Sequence, residues 1–235
     1  MTMMTQQLVP LYEKKYTCAM CEHSFSTKKV RSRFVKVLSF DSDFAPQYAD
    51  GFENPNLYYI NVCPDCGYSF TDDFSNYFPP GAKQVIQEKI CSQWVPHNYG
   101  EERTIQEAVN TFKLAAYSSM LKKEKHIVTA GLYIRIAWLH RTTENHEQEM
   151  RFIKLALKEY TESYSTGDYK GTQVSELRLM YLIGELSRRT GQTQDAVRFF
   201  SRVIEKQRQS VEPQIIQLAK DRWQEMRENQ AVSGN

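Results

Sequence analysis

Four of the five cysteines fall into two couples, Cys18-Ala-Met-Cys21 and Cys63-Pro-Asp-Cys66, the second followed directly by Gly67. A C-x-x-C turn offers two sulfurs that one ion can share, and two such turns make the usual ligand set of a tetrahedral site. With thiolate at all four corners no position stays open for water or substrate, so the ion is expected to be structural. Zinc is the expected occupant. Two rivals stand beside it. One is a rubredoxin-like iron on the same thiolates; the other is a dithiol redox pair, which needs only one couple, preferably opening a helix in a βαβ unit. Gly67 makes the second couple the better knuckle, because glycine lets the backbone amide turn toward sulfur, whereas Glu22 after the first couple gives no such freedom.

The remaining chemistry-bearing residues are weaker signals. Cys91 lies beside an apolar stripe and reads as a small buried hydrophobe, and His23 and His97 are not needed as ligands when four cysteines are present. Asp41 and Asp43, with Asp72 and Asp73, have the composition for acid/base or divalent-cation work, but acidic residues in turns are usually solvated or capping. Lys28, Lys29, Arg31, Arg33 and Lys36 form a basic run that reads first as a solvated strand face and second as a nucleic-acid contact. Tyr58, Tyr59, Tyr68, Phe70, Phe74, Tyr77 and Phe78 crowd the second couple and are expected to pack the ribbon onto the helices. No phosphate-cradling glycine loop, nucleophile elbow or H-E-x-x-H occurs.

The elements needed to position the couples are short. Leu8–Thr17 reads as an extended lead-in, Lys28–Leu38 as one strand and Tyr58–Val62 as a strand delivering the chain to Cys63. Residues 39–61, punctuated by Asp, Asn, Gly and Pro, form an inserted loop between the couples. After Pro79-Pro80-Gly81 the apolar period changes to three and four. Ala82–Trp94 is expected to be helical, ending before Pro96, and Thr104–Glu107 has the form of a capping box. Further helices are expected over about His126–Arg141, then around Met150 to Tyr164, Val174 to Gly184, Ala196 to Ile204, and from Pro213, with a frayed tail after Glu228. The fold class is therefore α+β, mainly α: a zinc-ribbon-like module over 1–78, then a helical domain over 79–235 ending in a capping helix.

Bulk properties narrow the partners. Of 235 residues, 41% are hydrophobic and 25% charged, as in ordinary globular proteins, and the net charge is +2. Split at residue 100, 9 Lys+Arg face 10 Asp+Glu before it and 21 face 18 after it, so neither part carries the concentrated positive footprint of a duplex binder. The start MTMMTQQLVPLYEKK lacks the features of a signal peptide, and no apolar run approaches a membrane span, which places the chain in the cytoplasm, where C-x-x-C couples hold metal or do redox work.

Two resemblances add to this reading. Met180–Lys206 resembles a tetratricopeptide repeat: Gly184 stands where one helix must approach its partner, Gly191 turns the chain, and Ala196 and Phe200 follow at the expected places. An earlier unit with Ala137-Trp138 and Phe152 to Ala156 is less regular. The run Asp41-x-Asp43, Tyr48, Asn54-Pro55-x-x-Tyr58, Val62-Cys63-Pro64-x-Cys66-Gly67-Tyr68 resembles the signature of the bacterial family called domain of unknown function 2225. That family pairs a cysteine-rich start with a tetratricopeptide-like remainder and brings no known activity. The resemblance makes Asp41, Asp43, Asn54, Pro55 and Tyr58 candidates for a shared role, and Asp41, Asp43, Tyr48, Asn54, Tyr58 and Tyr68 are expected as a possible binding surface.

The expected function is a metal-stabilised interaction or scaffold protein whose helical groove takes a peptide or partner protein. The alternatives are a nucleic-acid binder using the 28–36 face and an enzyme using Asp41 and Asp43.

Overall fold

The computed structural model describes residues 8–208 and 211–233. The fold is α+β and mainly α: among the described residues, three small antiparallel sheets occupy the N-terminal part and seven α-helices come after them. The chain groups into two compact units. The first takes in the residues up to Phe40 and Pro46–Glu124; the second takes Asp41–Ala45 and the chain from Lys125 onward. The expected division at residue 78 follows the change from strand to helix, whereas the contacts leave two helices with the cysteines and assign five residues of the inserted loop to the helical part.

In the first unit, β1 (Leu11–Thr17) and β2 (Ser24–Val30) pair from Leu11↔Val30 to Thr17↔Ser24, and the turn closing this hairpin holds the first couple. β3 (Val37–Phe40) pairs with β4 (Pro46–Tyr48), and β5 (Asn61–Val62) pairs with β6 (Ser69–Phe70) around the second couple. The single strand expected over Lys28–Leu38 is broken. The β1–β2 ladder ends at Leu11↔Val30, the Arg31 amide donates to the Pro10 carbonyl at 2.9 Å, and a 3-10 turn over Ser32–Phe34 intervenes before β3. Tyr58 likewise ends a 3-10 turn, Pro55–Tyr58, started by the Asn54 side chain accepting the Asn56 amide at 2.9 Å, so the strand before Cys63 shrinks to two residues.

α1 (Ala82–Lys89) is shorter than expected, because a 3-10 turn at Cys91–Gln93 takes over before Trp94. Its Ile86 and the adjoining Ile90 join Phe25, Tyr68, Cys18, Cys63 and Cys66 in one buried cluster, which explains why this helix belongs with the cysteines. α2 (Ile105–Lys122) starts with the expected capping box: the Thr104 hydroxyl accepts the Glu107 amide at 3.2 Å, and the Glu107 carboxylate accepts the Thr104 amide at 2.8 Å. Arg103, buried just before it, donates to the carbonyls of Leu57, Ile60 and Tyr99 at 3.2, 2.9 and 2.7 Å. One side chain thus satisfies backbone groups of an irregular segment that has no ladder of its own.

The second unit contains α3 (His126–Thr142), α4 (His146–Thr166), α5 (Glu176–Arg189), α6 (Thr193–Glu205) and α7 (Pro213–Ser233). Three-residue turns join α3 to α4 and α5 to α6, short enough to return each partner antiparallel. α5 is central, burying every residue from Leu179 to Ser187. A Cβ at Gly184 would stand 2.9 Å from the Phe200 ring, so the close approach of α5 and α6 depends on glycine there. α7 runs helical past Glu228, where fraying was expected. Residues 234–235, and residues 1–7 that opened the signal-peptide argument, lie outside the described residues. Among the described residues no helix is long and apolar enough to cross a membrane.

Candidate functional site

The hairpin tips in the first unit bring Cys18, Cys21, Cys63 and Cys66 together, with all four sulfurs within 4.8 Å of one another. Cys18 and Cys66 Sγ lie 3.6 Å apart, as do those of Cys21 and Cys63. Sulfurs about 2.3 Å from a central ion form a tetrahedron with edges of about 3.8 Å, so these separations fit four ligands of one metal ion. They far exceed the S–S bond of about 2.05 Å.

The two turns are built alike. The Glu22 amide donates to the Cys18 carbonyl and the Gly67 amide to the Cys63 carbonyl, each at 2.9 Å. Both donors take left-handed backbone, φ +62° at Glu22 and +73° at Gly67. Within the turns, amides face sulfur: Met20 N–H lies 3.4 Å from Cys18 Sγ, the amides of Cys66 and Asp65 address Cys63, and that of Tyr68 addresses Cys66. Such donors favour the thiolate. Hydrogen bonds from the Cys18 and Cys66 thiols hold Cys63 low, while Cys18 is raised chiefly by its contact with Cys63, and Cys66 by its contact with Cys18. Thiolates this close repel, and a cation among them removes the conflict.

Trp94, expected only as the last member of a helical stripe, covers the second knuckle. Its Nε1 donates to the Pro64 carbonyl at 2.9 Å, and a Cβ on Gly67 would fall inside its ring. Cys91 packs at the edge of the same cluster, its thiol raised by burial. The His23 carbonyl accepts the Cys18 amide at 2.9 Å, and His97 packs edge-on against Tyr99. Among the described residues, the group that can hold a metal is made of the four cysteines alone. Beside it, Tyr16, Tyr68, Phe70, Phe74 and Phe78 line a cavity of about 300 Å³ that also reaches Lys122. That lysine is itself buried, paired with Glu124 at 2.5 Å and stacked over Phe78 at 4.5 Å.

The basic run is largely engaged within the unit. Lys28 pairs with Glu101 at 2.8 Å, and Lys29 donates to the Tyr58 and Tyr59 carbonyls at 2.6 and 3.2 Å, with burial lowering its pKa to about 8. Arg31, Arg33 and Lys36 lie over Tyr12, Phe34 and Phe52. Asp72 accepts from Lys14 at 2.9 Å, and Asp73 accepts from the Tyr59 hydroxyl.

Of the six residues named as a possible binding surface, four lie in the first unit and two in the second. Tyr58 and Tyr68 are buried, at 5% and 2% exposure; Asn54 caps its turn; the Tyr48 hydroxyl accepts from Asn56 at 3.4 Å. Asp41 and Asp43 lie in the second unit, where the arginines that meet them were not foreseen. Arg141 donates to Asp41 at 2.8 Å, to both oxygens of Asp43 at 3.0 and 2.7 Å, and to Glu149 at 2.6 Å. Arg189 donates to Asp41 at 2.8 Å, to the Ser42 hydroxyl at 2.7 Å and to Glu185 at 2.8 Å. Trp138 Nε1 donates to Asp43 at 3.2 Å, the Tyr181 hydroxyl to the Ser42 carbonyl at 2.8 Å, and the Ser42 hydroxyl to Glu185 at 2.6 Å. Burial alone would raise Asp41 and Glu185, but the surrounding donors outweigh it. The Ser42 amide, Arg189 and Arg141 hold Asp41 below its ordinary value, and Arg188, Ser42 and Arg189 do the same for Glu185. Arg141 and the Arg188-Arg189 pair sit in last helical turns, where basic residues usually answer the helix dipole, so their positions alone did not mark them as partners of a loop.

The chain is thus a mainly helical α+β protein with a four-cysteine cluster that could hold a metal ion. The chain belongs to the family described as uncharacterized protein conserved in bacteria (DUF2225), whose model matches residues 11–226. No curated protein and no solved structure matches it.

Proposed function

We propose that this is a cytoplasmic protein-interaction or scaffold protein whose first unit is held by a structural zinc and whose tetratricopeptide-like helices hold a partner segment. The observation that carries the zinc reading is the complete sulfur shell: four thiolates fill a tetrahedron, which leaves the ion no position for substrate. Cys18, Cys21, Cys63 and Cys66 would hold it, and the ion supplies cross-linking energy of about 10 kcal/mol or more to the two turns that carry them. Iron would use the same ligands. The pairing of α3 with α4 and α5 with α6, with glycine at the α5–α6 contact, supports the repeat reading. An interaction role is further supported by the oxygens of Asp41 and Asp43, which are taken up by guanidinium groups rather than poised for proton transfer.

Crosslinking capture with the metal-loaded full chain, followed by reconstitution of each recovered pair from purified components, tests the reading. A reproducible pair that binds with 1:1 stoichiometry is expected. Repeated capture with no pair that reconstitutes would count against it.

A further inference from the structure

We propose that the arginine-lined recess of the second unit is a recognition site for an acidic segment of the form Asp-x-Asp-aromatic in a partner protein, and that residues 41–45 fill it as an intramolecular ligand. The inference rests on the interaction reading above and names the partner's chemistry.

Residues 41–45 are held as a bound peptide is held. Two carboxylates meet Arg141 and Arg189, the Ser42 carbonyl accepts from Tyr181, and the Phe44 ring packs on Tyr181 at 5.4 Å and under Arg178 at 4.1 Å. These partners lie roughly a hundred residues or more further along the chain, and Asp43 is fully buried among them. A five-residue link between β3 and β4 needs none of this; polar turn residues in solvent would connect the strands. Phe44 also takes left-handed backbone, φ +66°, which costs a non-glycine residue energy and persists only where surroundings impose it.

Charge points the same way. Arg141 and Arg189 meet the carboxylates of Asp41 and Asp43 directly, and Arg178 lies over the Phe44 ring. Bidentate guanidinium–carboxylate geometry selects an acidic segment over a neutral one. Tethered at both ends, the internal segment acts at an effective concentration on the order of millimolar, so a partner's segment must bind tightly enough to displace it.

The test uses a labelled peptide with the sequence of residues 39–47 and a full-length chain in which 41–45 is replaced by a Gly/Ser linker of equal length. The opened chain is expected to bind the peptide saturably. Affinity should fall more than about tenfold with Arg141→Gln, or when both peptide aspartates become asparagine, given the strength of charged hydrogen bonds. Wild type should bind the same peptide at least about tenfold more weakly, reflecting the internal competitor. An opened chain with native helical circular dichroism that ignores the peptide, or that binds the asparagine peptide equally, overturns the proposal. Should the opened chain not fold, hydrogen exchange on wild type decides: excess peptide must speed exchange of the Phe44 and Ala45 amides, and unchanged exchange at millimolar peptide overturns it. If the peptide fails while a reconstituted partner still binds, this inference fails alone; if no pair reconstitutes either, the interaction reading fails with it.

Discussion

At the scale of single residues, the two cysteine turns pose the same backbone demand and answer it differently. Gly67 reaches its left-handed conformation without cost, whereas Glu22 holds φ +62° against the Cβ penalty. Glu22→Gly is therefore expected to stabilise the first unit by about 1 kcal/mol, read as a higher melting temperature at constant metal loading. Gly67→Ala should do the reverse and by more, because the added Cβ is strained and also strikes the Trp94 ring. A competing chelator should strip that variant at lower concentration. The glycine was legible in the sequence because only glycine advertises such a turn. Nothing about a glutamate marks it as left-handed, so the likeness of the two knuckles emerged only from their matching amide-to-carbonyl bonds.

At the scale of elements, the helices were legible because their apolar residues recur at three and four, although α5 is buried on every side from Leu179 to Ser187, and the Thr104 capping box marked the start of its helix. Strands were less so. The β-rich composition of Lys28–Leu38 says nothing about where a partner strand ends, and that end broke the element in two. The acidic tip was legible as a motif but not as a contact, since its arginines lie on α3 and α5, far along the chain. Arg141→Ala leaves fully buried Asp43 without its principal counter-charge, and should destabilise the second unit by about 3–5 kcal/mol in denaturant unfolding. The same cluster sets a pH dependence. Asp41 and Glu185 titrate lower in the folded chain than their ordinary values. Their stabilisation is therefore full above the unfolded values, about pH 4, and is lost as pH falls through the folded ones. Melting temperature should drop on acidification below about pH 4, and Arg189→Gln should flatten that drop.

At the scale of the molecule, two units with different sources of stability share one chain. The first has short strands, the buried face of α2, and a buried cluster in which three of the seven members are cysteines. The second has a continuous helical core centred on α5. The family was legible in the sequence from the cysteine and aspartate motifs, and its model covers nearly the whole chain. The grouping of α1 and α2 with the cysteines was not, because it depends on Ile86 and Ile90 packing against sulfur rather than against the later helices. Removing metal should therefore unfold the first unit and leave the second with its own cooperative transition.

Elemental analysis of the purified chain, coupled to chelator titration followed by the fluorescence of Trp94 in a variant lacking Trp138 and Trp223, tests this account most directly. It predicts one zinc per chain, with loss of the metal and a shift of Trp94 emission together, and helical circular dichroism only partly reduced. A red, iron-loaded chain, or a metal-free chain with unchanged stability and paired disulfides, would contradict it.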